Sequence, residues 1–354
     1  MKDIAIITTH REPNYGNKLQ NYALQTVLQR LGYKVDTIND ARFYRDLISW
    51  RANKKALLHY FIRFRTQSWH IQHAKFFLWS KRHINYSKVN VHSDEDIIGL
   101  ADKYHYFIVG SDQIWNPEWR WFSNEFGFAT FARKEQKIAY APSLGVSEML
   151  PERIDEYSSF LQNWKALSCR EYEGAKIIEM ITGTQCPVVP DPTLLLTQKD
   201  WNNLSRKPRI KGHYALVYMI GVMADVYAEY ITAFERQKGL QIINIRDDAG
   251  WEECDPSEFI GLIRDADYMI TDSFHGCVFA LIYHRPITLF QRILPNEKDQ
   301  SSRIRTLFRH AGIPFVENQN IYEYHDLIWG KIDDALANKR QTGIEFLSKS
   351  LQSD

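Results

Sequence analysis

The chain alternates between short apolar runs and helical apolar patterns, and it does so in two successive blocks. The first block opens with an apolar run at 4–8, which is typical of a buried parallel strand. A helical pattern follows and ends at Gly32. Further strands are predicted at 35–38, 106–109, 138–141 and 166–168, with a helix at 171–181. Strands that alternate with helices predict a parallel α/β sheet.

A second block of the same kind follows the segment 188–193, in which Pro190 and Pro192 interrupt regular structure. Strands are predicted at 214–220, 241–245, 268–271 and 287–290, and helices at 224–237, 256–264 and 274–283. The length of 354 residues also exceeds what one hydrophobic core usually supports. We therefore predict two doubly wound, Rossmann-like α/β domains, 1–195 and 196–354, with C-terminal helices that pack back on the first domain.

Charge is distributed unevenly along the chain. The formal net charge of +1 excludes a generic nucleic-acid binder. Residues 47–93, however, contain nine Lys or Arg, no Asp or Glu, and nine aromatic residues. We predict a helical insertion on the acceptor side of the first domain. Two roles stay open for it: a surface that contacts anionic lipid, and a mobile lid whose aromatic side chains pack on the domain.

The cysteines and the N-terminus indicate the cellular compartment. The four cysteines are far apart in the sequence and include no Cys-x-x-Cys pair, which favours reduced, buried thiols. No signal peptide or membrane-spanning run is evident. The expectation is a cytoplasmic protein that is either soluble or peripheral at the inner face of the membrane.

Small polar residues follow the predicted strands of the first domain, at the sheet edge where α/β folds bind ligands. Each motif also has a structural explanation, since Asn17 could simply cap a helix and 111–113 could form an Asx turn. The candidate acceptor or cleft residues are Asn14, Gly16, Asn17, Gln20, Ser111, Asp112, Gln113, Asn116 and Ser143.

Two motifs supply the candidate catalytic residues. Arg170 directly follows a predicted strand, where a guanidinium can bind a carboxylate or phosphate, or can pair with a local Asp or Glu. His275 lies at the predicted start of a helix after a strand, where backbone N–H groups receive anions beside an imidazole that exchanges protons. The candidate donor-binding residues near that helix start, and near a second one at 301–305, are Ser273, Gly276, Arg303 and Arg305.

Several common catalytic motifs are missing from the sequence. It contains no Walker loop, no Gly-x-Gly-x-x-Gly, no His-Glu-x-x-His and no nucleophile elbow. We therefore expect no metal and no cofactor.

Taken together, the motifs resemble those of the polysaccharide pyruvyl transferase family. The resemblance rests on the Gly16-Asn17 turn and on the segments 110–116, 140–145, 168–171, 191–195 and 273–276. It implies a glycosyltransferase B-like (GT-B-like) fold and an enzyme that transfers pyruvate from phosphoenolpyruvate to two hydroxyls of a sugar, as a cyclic ketal. The acceptor would be a cell-surface glycan or its lipid-linked precursor, such as one for capsule or exopolysaccharide. In this reading His275 is the general acid or positions the leaving phosphate, and Arg170 binds the donor.

The sequence departs from the family pattern at one position. Many members have an Arg two residues before the histidine, where this chain has Ser273. Arg303 or Arg305 could supply the missing charge from the neighbouring helix start. The departure also keeps two alternatives open: a GT-B-type glycosyltransferase that uses an activated sugar, and a non-catalytic glycan-binding protein.

Overall fold

The computed structural model describes residues 2–9, 13–40, 54, 57–58, 68–97, 99–120, 122–245, 254–293 and 301–352. The chain divides into two compact units. The first contains residues 1–54, 77–196 and 337–354, and the second contains residues 55–76 and 197–336.

The first unit is built on a five-stranded sheet with the strand order β3-β2-β1-β4-β5. Every neighbouring pair in it is parallel. This order is that of a Rossmann fold. The strands are β1 (Lys2–Ile7), β2 (Val35–Asp40), β3 (Tyr86–Val91), β4 (Tyr104–Val109) and β5 (Lys137–Ala139).

The helices of the first unit follow its strands. They are α1 (Tyr15–Arg30), α2 (Ser68–His83, of which 68–76 belong to the second unit), α3 (Ile154–Phe160) and α4 (Tyr172–Thr182). Apolar side chains of the strands, such as Ile7 of β1 and Phe107 of β4, are buried, and Trp115 adds a large ring that stacks on Phe128 at 4.7 Å between centroids. Burial of these side chains is the main favourable term that holds the sheet and the loops beyond it together.

The second unit has its own five-stranded sheet, in the order β10-β9-β8-β6-β7. The strands are β6 (Tyr214–Tyr218), β7 (Gln241–Asn244), β8 (Tyr268–Thr271), β9 (Ile287–Phe290) and β10 (Ile321–Tyr324). Only β10 runs antiparallel to its neighbour in this sheet. The helices are α5 (Gln198–Leu204), α6 (Asp225–Lys238), α7 (Pro256–Asp265), α8 (Phe274–Ile282) and α9 (Ser302–His310), followed by α10 (Trp329–Ser350), whose residues 337–350 belong to the first unit.

The predicted fold class is confirmed at the level of two Rossmann-like α/β units. Two local predictions were wrong. Residues 86–91 lie in the predicted helical insertion but form edge strand β3, whose Val91 pairs with Asp40 of β2. The strand predicted at 166–168 is a single bridge between Ala166 and Ile138, and Ser168 contacts β5 through its side chain, whose Oγ donates to the Ala139 carbonyl.

The basic segment 47–93 is described only in part, since residues 54, 57 and 58 are the described ones among residues 47–67. Three of its nine aromatic residues, Phe76, Phe77 and Trp79, are buried. The cations Lys81, Arg82 and Lys88 are exposed. Within the described part of the segment, these three aromatic side chains therefore pack inside the protein while these charges face solvent.

Candidate functional site

The loop after β1 and the loop after β4 are joined through Gln20 of α1. Its Nε2 donates to Thr8 Oγ1 at 2.8 Å, and its Oε1 accepts from Ser111 N at 3.2 Å. Thr8 Oγ1 in turn donates to the carbonyl of Ser111. Asn14 caps α1, since its Oδ1 accepts from Asn17 N at 3.1 Å. The structure thus brings Gln20 and Ser111 together, whereas Asn14, Gly16 and Asn17 form the helix start.

Arg170 lies at the centre of a buried ionic network at the same sheet edge and is only 2% exposed. Its Nη1 donates to Asp191 Oδ2 at 2.8 Å, and its Nη2 to Asp112 Oδ1 at 3.4 Å. Ser111 Oγ also donates to Asp191 Oδ2, at 3.0 Å. Burial opposes the charged guanidinium, but the carboxylates of Asp191, Asp112 and Glu171 outweigh it and raise the pKa of Arg170. Of the two alternatives that the sequence allowed for Arg170, the structure shows the pairing with Asp side chains of the protein. Arg170 therefore positions the loops.

Glu171 fastens the loop after β5. Its Oε1 accepts from Ser143 Oγ, Leu144 N and Gly145 N at 2.8 to 3.1 Å. Gly145 has a φ of +68°, a conformation that favours glycine, and a Cβ there would lie 2.1 Å from Gln113 Oε1, so a larger residue would be strained and would displace the Gln113 amide. Gln113 Oε1 also accepts from Asn116 Nδ2 at 2.7 Å. Of the predicted cleft residues, Gln113 and Asn116 are therefore hydrogen-bonded to each other, and Ser143 is hydrogen-bonded to Glu171.

Lys18 was missed by the sequence reasoning. It lies in the first turn of α1 and is 4% exposed. Burial lowers its pKa to about 8, because a charged ammonium is costly away from water. The available signal was a Lys directly after the Gly16-Asn17 turn, within the loop-to-helix motif already singled out.

In the second unit, His275 lies in the first turn of α8, directly after β8, as predicted. Ser273 is the N-cap: its Oγ accepts from Gly276 N at 3.2 Å. A Cβ on Gly276 would lie 2.6 Å from Thr271 Oγ1, so this glycine lets α8 approach β8 closely. The imidazole is 8% exposed, and the Phe274 ring meets it edge-on at 5.0 Å. Ser273 and Gly276 thus build the helix start that holds His275.

A pocket of about 190 Å³ lies at the carboxyl ends of β8 and β9, and His275 is not among its lining residues. Asp272, which directly precedes Ser273, lines it together with Arg292 and the predicted donor residue Arg303. Arg305 is not among the lining residues, and its Nη1 pairs with Glu317 Oε2 at 3.3 Å. The lining also includes Leu289, Phe290, Gln291, Ser301, Ile304, Phe315, Glu317, Asn318, Asn320 and Tyr322.

Arg292 is the second residue that the sequence reasoning missed. It comes two residues after the end of β9. The rule that located Ser111 and His275, namely that polar residues beyond strand ends face ligands, would have found it. The second unit thus contains an imidazole at the start of α8 and two guanidinium groups among the residues that line the pocket.

Comparison with known proteins identifies the family of this chain. The model of the polysaccharide pyruvyl transferase family matches residues 14–291, which include Arg170 and His275 but not Arg292 or Arg303. A comparison of the sequence with curated proteins finds no significant match.

Three solved structures of enzymes are distantly similar to this chain. UDP-GlcNAc 2-epimerase from Methanocaldococcus jannaschii is 12% identical over 95% of this chain and 92% of its own, with a TM-score of 0.47. The heptosyltransferase WaaC of E. coli is 13% identical over 80% and 86%, with a TM-score of 0.33. The spinosyn forosaminyltransferase SpnP is 12% identical over 99% and 94%, with a TM-score of 0.34.

The family match defines a transferase of polysaccharide biosynthesis that is built from two Rossmann-like units. The chain belongs to the polysaccharide pyruvyl transferase family. Its acceptor is accordingly a glycan. Among the described residues, no helix combines the length and apolarity needed to cross a membrane.

Proposed function

We propose that the enzyme transfers the pyruvyl group of phosphoenolpyruvate to two hydroxyls of one sugar, in a cell-surface glycan or its lipid-linked precursor. The observation that carries the proposal is the position of His275 on the first turn of α8, three residues after Asp272, which lines a pocket together with Arg292 and Arg303. Phosphoenolpyruvate carries a phosphate and a carboxylate, which guanidinium groups and helix N-termini bind well.

The reaction needs a proton donor for the methylene carbon and a binding site for the phosphate that leaves the central carbon. The methylene carbon of the enol gains a proton and becomes a methyl group, while a first sugar hydroxyl adds to the central carbon. A second hydroxyl then displaces phosphate, which closes the ketal ring and releases inorganic phosphate. His275 serves as the general acid or hydrogen-bonds the leaving phosphate. Neither step calls for a metal or a cofactor.

The roles of the two units follow from their residues. The donor binds to the second unit, where His275 and the pocket are. The acceptor binds to the first unit, whose network holds the loops after β1, β4 and β5.

We place the reaction in the cytoplasm, at the inner face of the membrane when the acceptor is lipid-linked. The exposed cations Lys81, Arg82 and Lys88 would meet anionic headgroups there. Flotation with anionic vesicles at low salt tests that contact. A protein that does not float with the vesicles favours the alternative role of residues 47–93 as a lid.

The experiment incubates the protein with labelled phosphoenolpyruvate and a panel of free and lipid-linked glycans. The proposal predicts phosphate release together with the mass gain of a carboxyethylidene group on one glycan. His275→Gln should slow phosphate release about 10²- to 10⁴-fold, the usual contribution of a positioned acid. His213→Gln is the matched control, because His213 is exposed and pairs with Asp267 away from the pocket.

A second candidate is transfer from an activated sugar, which Ser273 in place of the family arginine favours. The same panel is therefore run with nucleotide sugars. Glycosyl transfer without phosphate release from phosphoenolpyruvate would replace the first proposal with the second. Glycan binding that survives His275→Gln, with no product from either donor, would indicate a binding protein.

A further inference from the structure

We infer that Asp112 is the general base that accepts the proton of the attacking sugar hydroxyl. A hydroxyl oxygen that bonds to the central carbon of the donor must lose its proton. His275 serves the donor in the second unit, so the acceptor in the first unit needs a proton acceptor of its own. The inference rests on the proposed function for the reaction, and it adds a catalytic residue to it.

Three carboxylates surround the guanidinium of Arg170, and they differ in exposure. The side chains of Asp191 and Glu171 are fully buried, whereas that of Asp112 is 13% exposed. Asp112 Oδ1 accepts from Arg170 Nη2 at 3.4 Å, and its Oδ2 accepts no hydrogen bond from the residues that the structure describes. A general base needs an open lone pair rather than an unpaired charge. The ion pair with Arg170 therefore orients the Asp112 carboxylate and leaves Oδ2 for a substrate hydroxyl.

The other two carboxylates hold the loops together. Asp191 Oδ1 accepts from the backbone N and the hydroxyl of Thr193, at 2.9 and 2.7 Å. Its Oδ2 accepts from Ser111 Oγ at 3.0 Å as well as from the guanidinium. Glu171 Oε1 accepts from three donors of the loop after β5. Both carboxylates are thus engaged in the structure, and Asp112 is the one of the three that reaches the surface.

The backbone of Asp112 is held in a conformation that side chains rarely adopt. Its φ is +61°, in the left-handed region. Its carbonyl accepts from Ser143 N at 2.8 Å, which ties the loop after β4 to the loop after β5. Asp112 lies three residues after the end of β4, at the sheet edge where α/β folds bind ligands. Residues held in such conformations cluster at active sites, because the surrounding structure fixes where their side chains point.

The proton balance of the reaction defines the role of Asp112. In the first step a hydroxyl oxygen bonds to the central carbon, the methylene carbon takes a proton from the general acid, and the hydroxyl proton passes to Asp112 Oδ2. In the second step the bond from the central carbon to the phosphate oxygen breaks, and its electron pair leaves with the phosphate. The second hydroxyl oxygen bonds to the same carbon, and its proton leaves on the phosphate. Asp112 then returns its proton to solvent, and the general acid takes one up.

The test compares Asp112→Asn with wild type in the labelled phosphoenolpyruvate assay, on the glycan that wild type modifies. The kcat should fall about 10²- to 10⁴-fold, the usual contribution of a positioned base. Phosphoenolpyruvate affinity, measured by titration calorimetry, should stay unchanged, because the donor binds to the second unit. Asparagine tolerates a positive φ and Arg170 keeps two other carboxylates, so the variant should fold, which urea unfolding checks. Asp102→Asn is the control, because it removes only an exposed pair with Arg133 and should leave kcat unchanged.

Rescue by a small carboxylate separates a base from a structural carboxylate. Asp112→Gly removes the side chain at a φ that glycine adopts freely, and it leaves space for formate. Formate should restore part of the kcat of Asp112→Gly, whereas chloride at the same ionic strength should not. Equal restoration by both salts would overturn the assignment. If Asp112→Asn does not fold, Asp112→Gly decides.

The outcomes separate the assignment of Asp112 from the proposed function. If wild type forms the ketal and Asp112→Asn forms it equally fast, the assignment is wrong while the proposed function stands. If wild type instead transfers a sugar from a nucleotide sugar, the donor of the proposed function is wrong. A slow Asp112→Asn in that transfer supports the assignment, since a sugar hydroxyl still loses its proton, and a fast one overturns it. If wild type forms no product from either donor, both proposals are wrong.

Discussion

At the scale of single residues, Lys18 makes stability depend on pH. Its pKa of about 8 in the folded protein lies below the ordinary 10.5, so the unfolded chain holds more protons between pH 8 and 10.5. Stability therefore rises with pH across that window. Lys18→Met removes the buried charge and should raise the free energy of unfolding at pH 7 by about 1 to 3 kcal/mol.

Urea unfolding from pH 7 to 10.5 measures this effect. The gap between Lys18→Met and wild type should shrink steadily as the pH rises, because wild-type Lys18 loses its proton. Lys34→Met is the control, since Lys34 is exposed. A gap that stays constant with pH would show that the charge of Lys18 is not what destabilises the fold.

Arg170 shows the opposite behaviour, a charge that the fold needs. Arg170→Met leaves the carboxylates of Asp191 and Asp112 buried without their cation, which should cost about 3 to 5 kcal/mol. Arg133→Met removes an exposed pair with Asp102 and should cost about 0 to 1 kcal/mol. Both free energies come from urea unfolding. If Arg170→Met and Arg133→Met lower the free energy of unfolding equally, Arg170 does not stabilise the loops. The predicted contact with the donor would then be the better explanation for an arginine at this position.

At the scale of elements, the start of α8 depends on Ser273. Its hydroxyl satisfies one of the N–H groups that a helix start leaves open, so Ser273→Ala should lower the free energy of unfolding by about 1 kcal/mol. Ser273→Asp keeps an acceptor at the cap and should retain most of the stability. Thermal unfolding compares the two, and equal losses in both variants would argue against capping. An arginine here would provide a cation but no cap.

Elements with strong apolar patterns could be predicted closely from the sequence. Strands β8 and β9 have the predicted bounds, and α8 ends one residue earlier than predicted. Edge strand β3 could not be recognised, since an edge strand tolerates polar residues such as Lys88 that the interior of a sheet excludes. Strand β10 has four residues and only its Tyr322 is buried, so its apolar signal is weak.

The sequence predicted where the candidate site residues lie in the fold, but not which side chains they contact. The rule that ligands bind beyond strand ends located Ser111, Ser143 and His275 from the sequence. Which carboxylate pairs with Arg170 depends on contacts between residues far apart in the chain, such as Asp112 and Asp191. Those contacts form only once the sheet has assembled, so spacing along the sequence does not reveal them.

At the scale of the whole molecule, the end of the chain stabilises the first unit. Tyr33 and Tyr106 both donate their hydroxyls to the carbonyl of Leu351, and Arg340 Nε donates to the carbonyl of Leu194. Leu347 is fully buried. Residues 337–354 are thus part of the first unit, although α10 begins in the second.

Leu347→Ala should therefore lower the free energy of unfolding by about 2 to 5 kcal/mol, through lost burial and the cavity that remains. Lys349→Ala changes an exposed residue of the same helix and should stay within about 0.5 kcal/mol of wild type. Hydrogen exchange locates the loss: Leu347→Ala should speed exchange of β1 and β4 amides more than of β8 and β9 amides. Since we place the donor in the second unit, phosphoenolpyruvate affinity should be retained in Leu347→Ala. Loss of donor binding in a folded Leu347→Ala protein would mean that the donor site also depends on the first unit.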